Sequence, residues 1–224
     1  MTLLSISPKT QPNPWSVLRL RLVQFDTSTR EQTHLAAEEF GISAELIASV
    51  LADEFVRRDG WDLIQEGLVR LGLHLQGRVA RRYWQMLEAA CGRPVTTFSL
   101  GRAQMKTGTL RSLGALGYLS LPETTQEELH LLFDVQQAPR LVAACLRATA
   151  DHWALHSVSI EHRADVLATL YSLGLSGTRG VHPAPEASAR GEAIAQHADW
   201  LATTTFREVT ERQADVHVGR KIAS

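Results

Sequence analysis

The chain lacks any uninterrupted apolar run near the ~18 residues that a membrane-crossing helix needs, so no spanning segment is expected. It also lacks net charge. With 23 Lys and Arg against 24 Asp and Glu the balance is −1, which leaves no global field to gather nucleic acid or anionic lipid. Cysteine is scarce as well: Cys91 and Cys145 lie far apart without metal-ligand spacing, and they read as buried thiols. The N-terminus has no basic region followed by a long apolar core, so no secretory signal is read. The expectation is a chain that is cytoplasmic at synthesis, with a non-classical export route if it acts on a cell wall. Serine and cysteine nucleophile signatures are missing. So is a glycine-rich phosphate loop between strand and helix, which argues against a nucleotide enzyme.

What is present is an ordinary globular composition over 224 residues, 44% apolar and 21% charged. No internal repeat and no linker interrupts the apolar pattern, so one mainly helical domain over residues 28–202 is expected, between an N-terminal extension at 1–27 and a C-terminal tail at 203–224. Asn13 and Pro14 open a first helix carrying Trp15, Leu18 and Leu22, though the alternation of Leu18 to Leu22 also allows an edge strand. Ser28 and Glu31 form a capping-box pattern, as do Thr125 and Glu128, and Gly41 reads as a C-terminal stop. Glycines at 60, 67, 72 and 77 suggest a short helix and a turn there. Residues 95–100, VTTFSL, are the one β-branched and aromatic run, expected as a short strand or hairpin. Thr107 is read as the cap of the helix that follows. Ser159 opens another, and a last clear helix runs from about 186 to 201.

Residues 43–58 carry the most informative irregularity. Ser43 caps a helix whose apolar positions Leu46, Ile47, Val50, Leu51 and Phe55 keep helical spacing, and Glu54 points with them. Glu45, Ser49 and Asp53 fall on the opposite side, where solvent is expected. A carboxylate on the apolar stripe is either paired, with Arg58 four residues on, or held protonated as a general acid.

The same stretch supports a competing motif. In residues 33–50, Ala37, Gly41 and Ile47 take the places of the small, turn and β-branched residues of a helix-turn-helix. Its second helix would present Glu45, Asp53 and Glu54 to phosphate, which they repel. His152 and His156, four apart with His162 nearby, could put two imidazoles on one ion, but no Glu follows His152 in the metalloprotease manner and no metal is expected.

A third constellation brings these pieces into one order. A helix ends in Glu54; Ser99, Gly101, Gln104, Met105 and Thr109 follow a short β segment; Tyr171 and Gly174 end a later helix. This arrangement resembles the lytic transglycosylases and goose-type lysozymes of the lysozyme-like superfamily. It is similar to their Glu-Ser helix end, matched loosely by Ala48 and Glu54, to their Gly-Leu-Met-Gln motif, and to their Ala-Tyr-Asn-x-Gly motif. Asp134 and the helix with Ala143, Ala144 and Leu146 look like a further family segment. Departures are Phe55 in place of Ser, Thr107 where Pro is common, and Ser172 in place of Asn. The resemblance covers about residues 37–174. It implies a lysozyme-like fold and cleavage of the peptidoglycan glycan strand with Glu54 as single acid and base. It further implies that Ser99, Gln104, Met105 and Tyr171 line the cleft, with no cofactor and no nucleic-acid partner. Oligomeric state is not implied. The alternative is a non-catalytic DNA-binding or regulatory module built on the helix-turn-helix-like segment.

Overall fold

The computed structural model describes residues 14–204, with side chains from residue 16. The first 13 residues of the expected extension and the tail beyond 204 therefore lie outside the described residues. Among the described residues ten α-helices follow one another: α1 Pro14–Arg21, α2 Thr27–Phe40, α3 Ala44–Arg57, α4 Gly60–Leu73 and α5 Gly77–Cys91, then α6 Thr107–Ala115, α7 Thr125–Phe133, α8 Ala138–Leu155, α9 Ala164–Leu173 and α10 Ala189–Thr204. The fold is mainly α, and no sheet forms among the described residues. None of the described helices is long and apolar enough to cross a membrane.

Helix α3 is the axis of the packing. It touches α1, α2, α8, α9 and α10, and from Leu46 to Asp53 every side chain is buried. Ser43 caps its start by accepting from the Leu46 amide at 3.1 Å, as its sequence leads one to expect. Burying Leu46, Ile47, Val50 and Leu51 contributes about 2 kcal/mol each, while the small Ala48, Ser49 and Ala52 let neighbouring helices approach from the other sides. This enclosure overturns the expectation that Ser49 and Asp53 face solvent, because α10 and α1 cover that side. An apolar stripe on one face does not tell how many further faces are covered.

Helix α1 packs on α3 and α10 with Leu20 buried, so residues 14–21 rest against the helical body, and the edge-strand alternative does not form. The cap of α2 is Asp26, whose carboxylate accepts from the Thr29 amide at 2.6 Å. The expected cap, Ser28, instead donates to Gln136 at 2.7 Å. Gly41 ends α2 with a φ of 63°, as expected. The capping box of α7 is Thr124 with Glu127, one residue early, which turns Glu128 inward to Arg111. Lys106, not Thr107, occupies the N-cap position of α6, and Thr107 is the first helical residue. Helix α9 starts five residues after Ser159, because buried Ile160 anchors a turn whose carbonyl accepts from the Arg163 amide.

Two larger expectations also change. Residues 60–73 form one continuous helix despite Gly67 and Gly72, for Asp59 and Asp62 make a reciprocal capping box and Gly72 accepts the Trp84 ring, which a Cβ would meet at 2.4 Å. Residues 95–100 form no strand. Val95–Thr97 is a 3-10 turn, and Leu100 pairs with Met105 through an isolated antiparallel bridge, 3.1 and 3.2 Å. The turn closes so tightly because Gly101 lies at φ 68° with its α-carbon against Leu132, where a Cβ would come within 1.7 Å of the carbonyl oxygen. A hairpin has no room to extend there.

Candidate active site

Glu54 lies in the last turn of α3, and its side chain is 13% exposed. Its partner is not Arg58. Arg190, in the first turn of α10, donates from Nη2 to Glu54 Oε1 at 2.7 Å and from Nε to Asp53 Oδ2 at 2.6 Å. Asp53 is itself almost fully enclosed and also accepts from Arg57 Nε at 3.0 and 3.1 Å. Arg58 turns away to the buried carboxylate of Glu66 on α4. Burial pushes the Glu54 carboxyl up from its ordinary 4.5 to about 7; the Arg190 guanidinium opposes this, and the neighbouring Asp53 charge adds to it.

The position of Arg190 follows from how α10 starts. The Ser188 hydroxyl accepts from the Gly191 amide at 3.1 Å, the Ser188 amide donates to Thr169 Oγ1 at 2.9 Å, and Thr169 donates back to the Asp165 carbonyl at 2.8 Å. This hook fixes the first turn of α10 against α9. Gly191 permits the approach: a Cβ there would lie 2.1 Å from Thr169 Oγ1 and 2.2 Å from the Asp165 oxygen.

Glu54 borders a cavity of about 470 Å³, and Ser99, Gln104, Met105 and Tyr171 line the same cavity. All five residues singled out in the sequence thus come together from α3, the turn at 99–105 and α9. Two of them spend their polar groups on the scaffold. Tyr171 donates its hydroxyl to the Ala103 carbonyl at 2.6 Å, tying α9 to the turn, and burial above all pushes its phenol well above 10. Gln104 sits at φ 47° and donates its amide to the Gly101 carbonyl at 2.8 Å and to Glu66 Oε1 at 2.9 Å. Met105 is buried and Ser99 half-buried. Thr109, Ser172 and Asp62 add polar groups to the wall, and Lys106 adds a cation.

Arg190 and Glu66 were not singled out by the sequence. Arg190 stands 136 residues from Glu54, and only the rule that a buried carboxylate needs a counter-charge pointed to such a group, with 23 basic residues to choose from. For Glu66 there was a signal. It falls three residues before Val69 on the buried side of α4, the same misplacement that marked Glu54.

The other candidates fare differently. Helix α3 cannot act as a recognition helix in this fold, since its residues from Leu46 to Asp53 are enclosed and leave no free face for a groove. His152 bonds Ser176 through Nε2 at 2.9 Å and stacks edgewise on His156, 5.2 Å between centroids. No group of three or more His, Cys, Asp or Glu able to hold a metal ion occurs among the described residues. Both cysteines are free thiols, and burial pushes Cys145 up to about 12, so it stays protonated where it meets the cavity.

No protein-family model, curated protein or solved structure matches this chain.

Proposed function

We propose that the chain is a peptidoglycan-cleaving glycosidase of the lytic-transglycosylase type, built on a lysozyme-like helical domain and using Glu54 as its single acid and base. The observation that carries this reading is a carboxyl held up to about 7 in the wall of a cavity with polar sides. Such a group keeps its proton near neutral pH and can still release it, which is the requirement for a general acid at a glycosidic bond. The order of Glu54, the turn with Gln104 and Met105, and Tyr171 matches the resemblance drawn from the sequence, and their convergence on one cavity supports it.

The reaction proceeds in two proton transfers. Glu54 gives its proton to the glycosidic oxygen, the bond to the anomeric carbon breaks, and the leaving sugar departs as an alcohol. The sugar's own 6-hydroxyl then attacks the anomeric carbon and returns its proton to the Glu54 carboxylate, leaving a 1,6-anhydro end. No water is consumed. Ser99 and Thr109 supply hydroxyls for the sugar ring, whereas Gln104, Tyr171 and Ser172, bonded to the scaffold, shape the wall.

Hydrolysis is the second reading, favoured by one observation: Asp62 borders the same cavity as Glu54 and offers a second carboxylate to activate water. Glu54→Gln is expected to abolish clearing of a purified cell-wall suspension, and clearing at the wild-type rate would sink the assignment. Mass spectrometry of the digest separates the two routes. Fragments one water lighter than hydrolysed muropeptides mark the transglycosylase, while reducing ends that disappear in Asp62→Asn mark the hydrolase.

A further inference from the structure

The guanidinium of Arg190 touches both carboxylates of the Asp53–Glu54 pair, and this shared contact has a consequence for the acid. Asp53 is almost fully enclosed, and its oxygens are taken by Arg190 Nε at 2.6 Å and by Arg57 Nε at 3.0 Å. Arg190 Nη2 also lies 2.6 Å from Asp53 Oδ2, so Asp53 acts as the anchor, and the same Nη2 reaches Glu54 Oε1 at 2.7 Å. The guanidinium holds Asp53 through two nitrogens, Nε and Nη2, and this fixes the orientation in which Nη2 meets Glu54. The hook between Ser188 and Thr169 fixes the main chain on which the fork stands.

We propose that Arg190, anchored by Asp53, is a positioning residue that aims the Glu54 carboxyl at the cavity and stabilises the carboxylate left when Glu54 gives up its proton. The inference rests on the reading of Glu54 as the acid. Burial favours the protonated form of Glu54, and Arg190 is the strongest influence favouring its carboxylate. The other groups around Glu54 do not replace it. From α3 itself, Arg57 is engaged by Asp53 and Arg58 by Glu66. From α8 and α9, Cys145 and Tyr171 are kept neutral by burial. Asp62 of α4 and Lys106 before α6 bring opposite charges to the cavity wall. Arg190 is the cation in direct contact with the acid.

The test follows the Glu54 carboxyl by carbon-13 NMR across pH in the full chain, beside the pH profile of kcat/KM for clearing. Removing an opposite charge at this distance should raise the Glu54 titration by one pH unit or more, since a neighbouring cation lowers a carboxyl by roughly 1–3 units. Arg190→Gln should show that rise, and the alkaline limb of the rate profile should move with it. Arg190→Lys, whose single ammonium lacks the second nitrogen that anchors the fork on Asp53, should show a smaller rise of the same sign. It also carries the comparison if the Gln variant fails to fold. An unmoved titration in either folded variant overturns the proposal, as does a rate that drops equally at every pH with its limb in place. Because the titration needs no turnover, a shifted Glu54 in a chain that clears no cell wall would remove the glycosidase reading and leave the role of Arg190 standing.

Discussion

His197 and Glu54 are both held away from their ordinary charge states by burial, and they pull stability in opposite directions with pH. His197 is fully enclosed on α10, stacked on Trp200 with centroids 5.6 Å apart, and neither ring nitrogen has a hydrogen-bond partner. Burial, aided by Arg21, lowers its pKa from 6.5 to about 4. Below 6.5 the unfolded chain binds a proton that the folded chain refuses, so this residue costs stability as pH falls from about 6.5 to about 4. His197→Phe keeps the ring and removes the two orphaned nitrogens. Urea melts should find it more stable than the parent at pH ~5, by on the order of 1–2 kcal/mol, with a smaller gain at pH ~8.

For Glu54 the sign reverses. The folded chain keeps its proton up to about 7, whereas the unfolded chain loses it near 4.5, so stability falls as pH rises through that window. Glu54→Gln should flatten the slope, gaining on the parent by on the order of 2 kcal/mol between pH ~5 and ~7.5. Asp53 still satisfies Arg190 in this variant. A mutant that instead unfolds would mark Glu54 as a structural ion-pair partner.

At the scale of elements, the site depends on two close approaches of backbone. Gly191 lets α10 lie on α9 with Arg190 facing Glu54, and Gly101 lets the turn that carries Gln104 sit against the end of α7. Gly191→Ala would need α10 to shift away from Thr169 and the Asp165 carbonyl, and Gly101→Ala adds a clash with backbone to an unfavourable φ. Each should cost on the order of 2–4 kcal/mol in denaturant melts. Gly41→Ala provides the comparison. Its φ of 63° is left-handed like that of Gly101, with nothing within 4 Å of the new Cβ, so its cost should stay near 1 kcal/mol. Equal losses at Gly41 and Gly101 would mean that backbone strain, not the contact with Leu132, governs the turn.

Across the whole molecule, burial is uneven. Helices α2, α3, α8, α9 and α10 share the main core, while α5 buries only Leu87, and Trp61, Ile64, Leu71, Val79 and Met86 of the α4–α5 pair stand exposed. A segment with few buried side chains opens at a lower free energy than the core. Hydrogen exchange should therefore give amides of α5 protection at least tenfold weaker than those of α3 and α8. Uniform protection would mean that the pair is held by contacts absent from this packing.

The local structure was legible where short-range chemistry decides it. Ser43 marks the start of α3 and Gly41 the end of α2, because a cap needs only a side chain and the amides three residues away. The misplaced Glu54 was equally legible, since helical periodicity alone puts it with Ile47 and Leu51. That α3 is enclosed on its other sides, so that Asp53 is as buried as the core, could not be read from the same helix: coverage depends on α1 and α10, which approach from far along the chain. The short run at 95–100 had strand-like residues, yet the close approach of Leu132 to Gly101 left room for one bridge. Sequence periodicity determined which carboxyl would be unusual. The tertiary structure alone decided what answers it, because ion pairing acts through a few ångströms of space and Arg190 reaches Glu54 only after α10 has folded back onto α3.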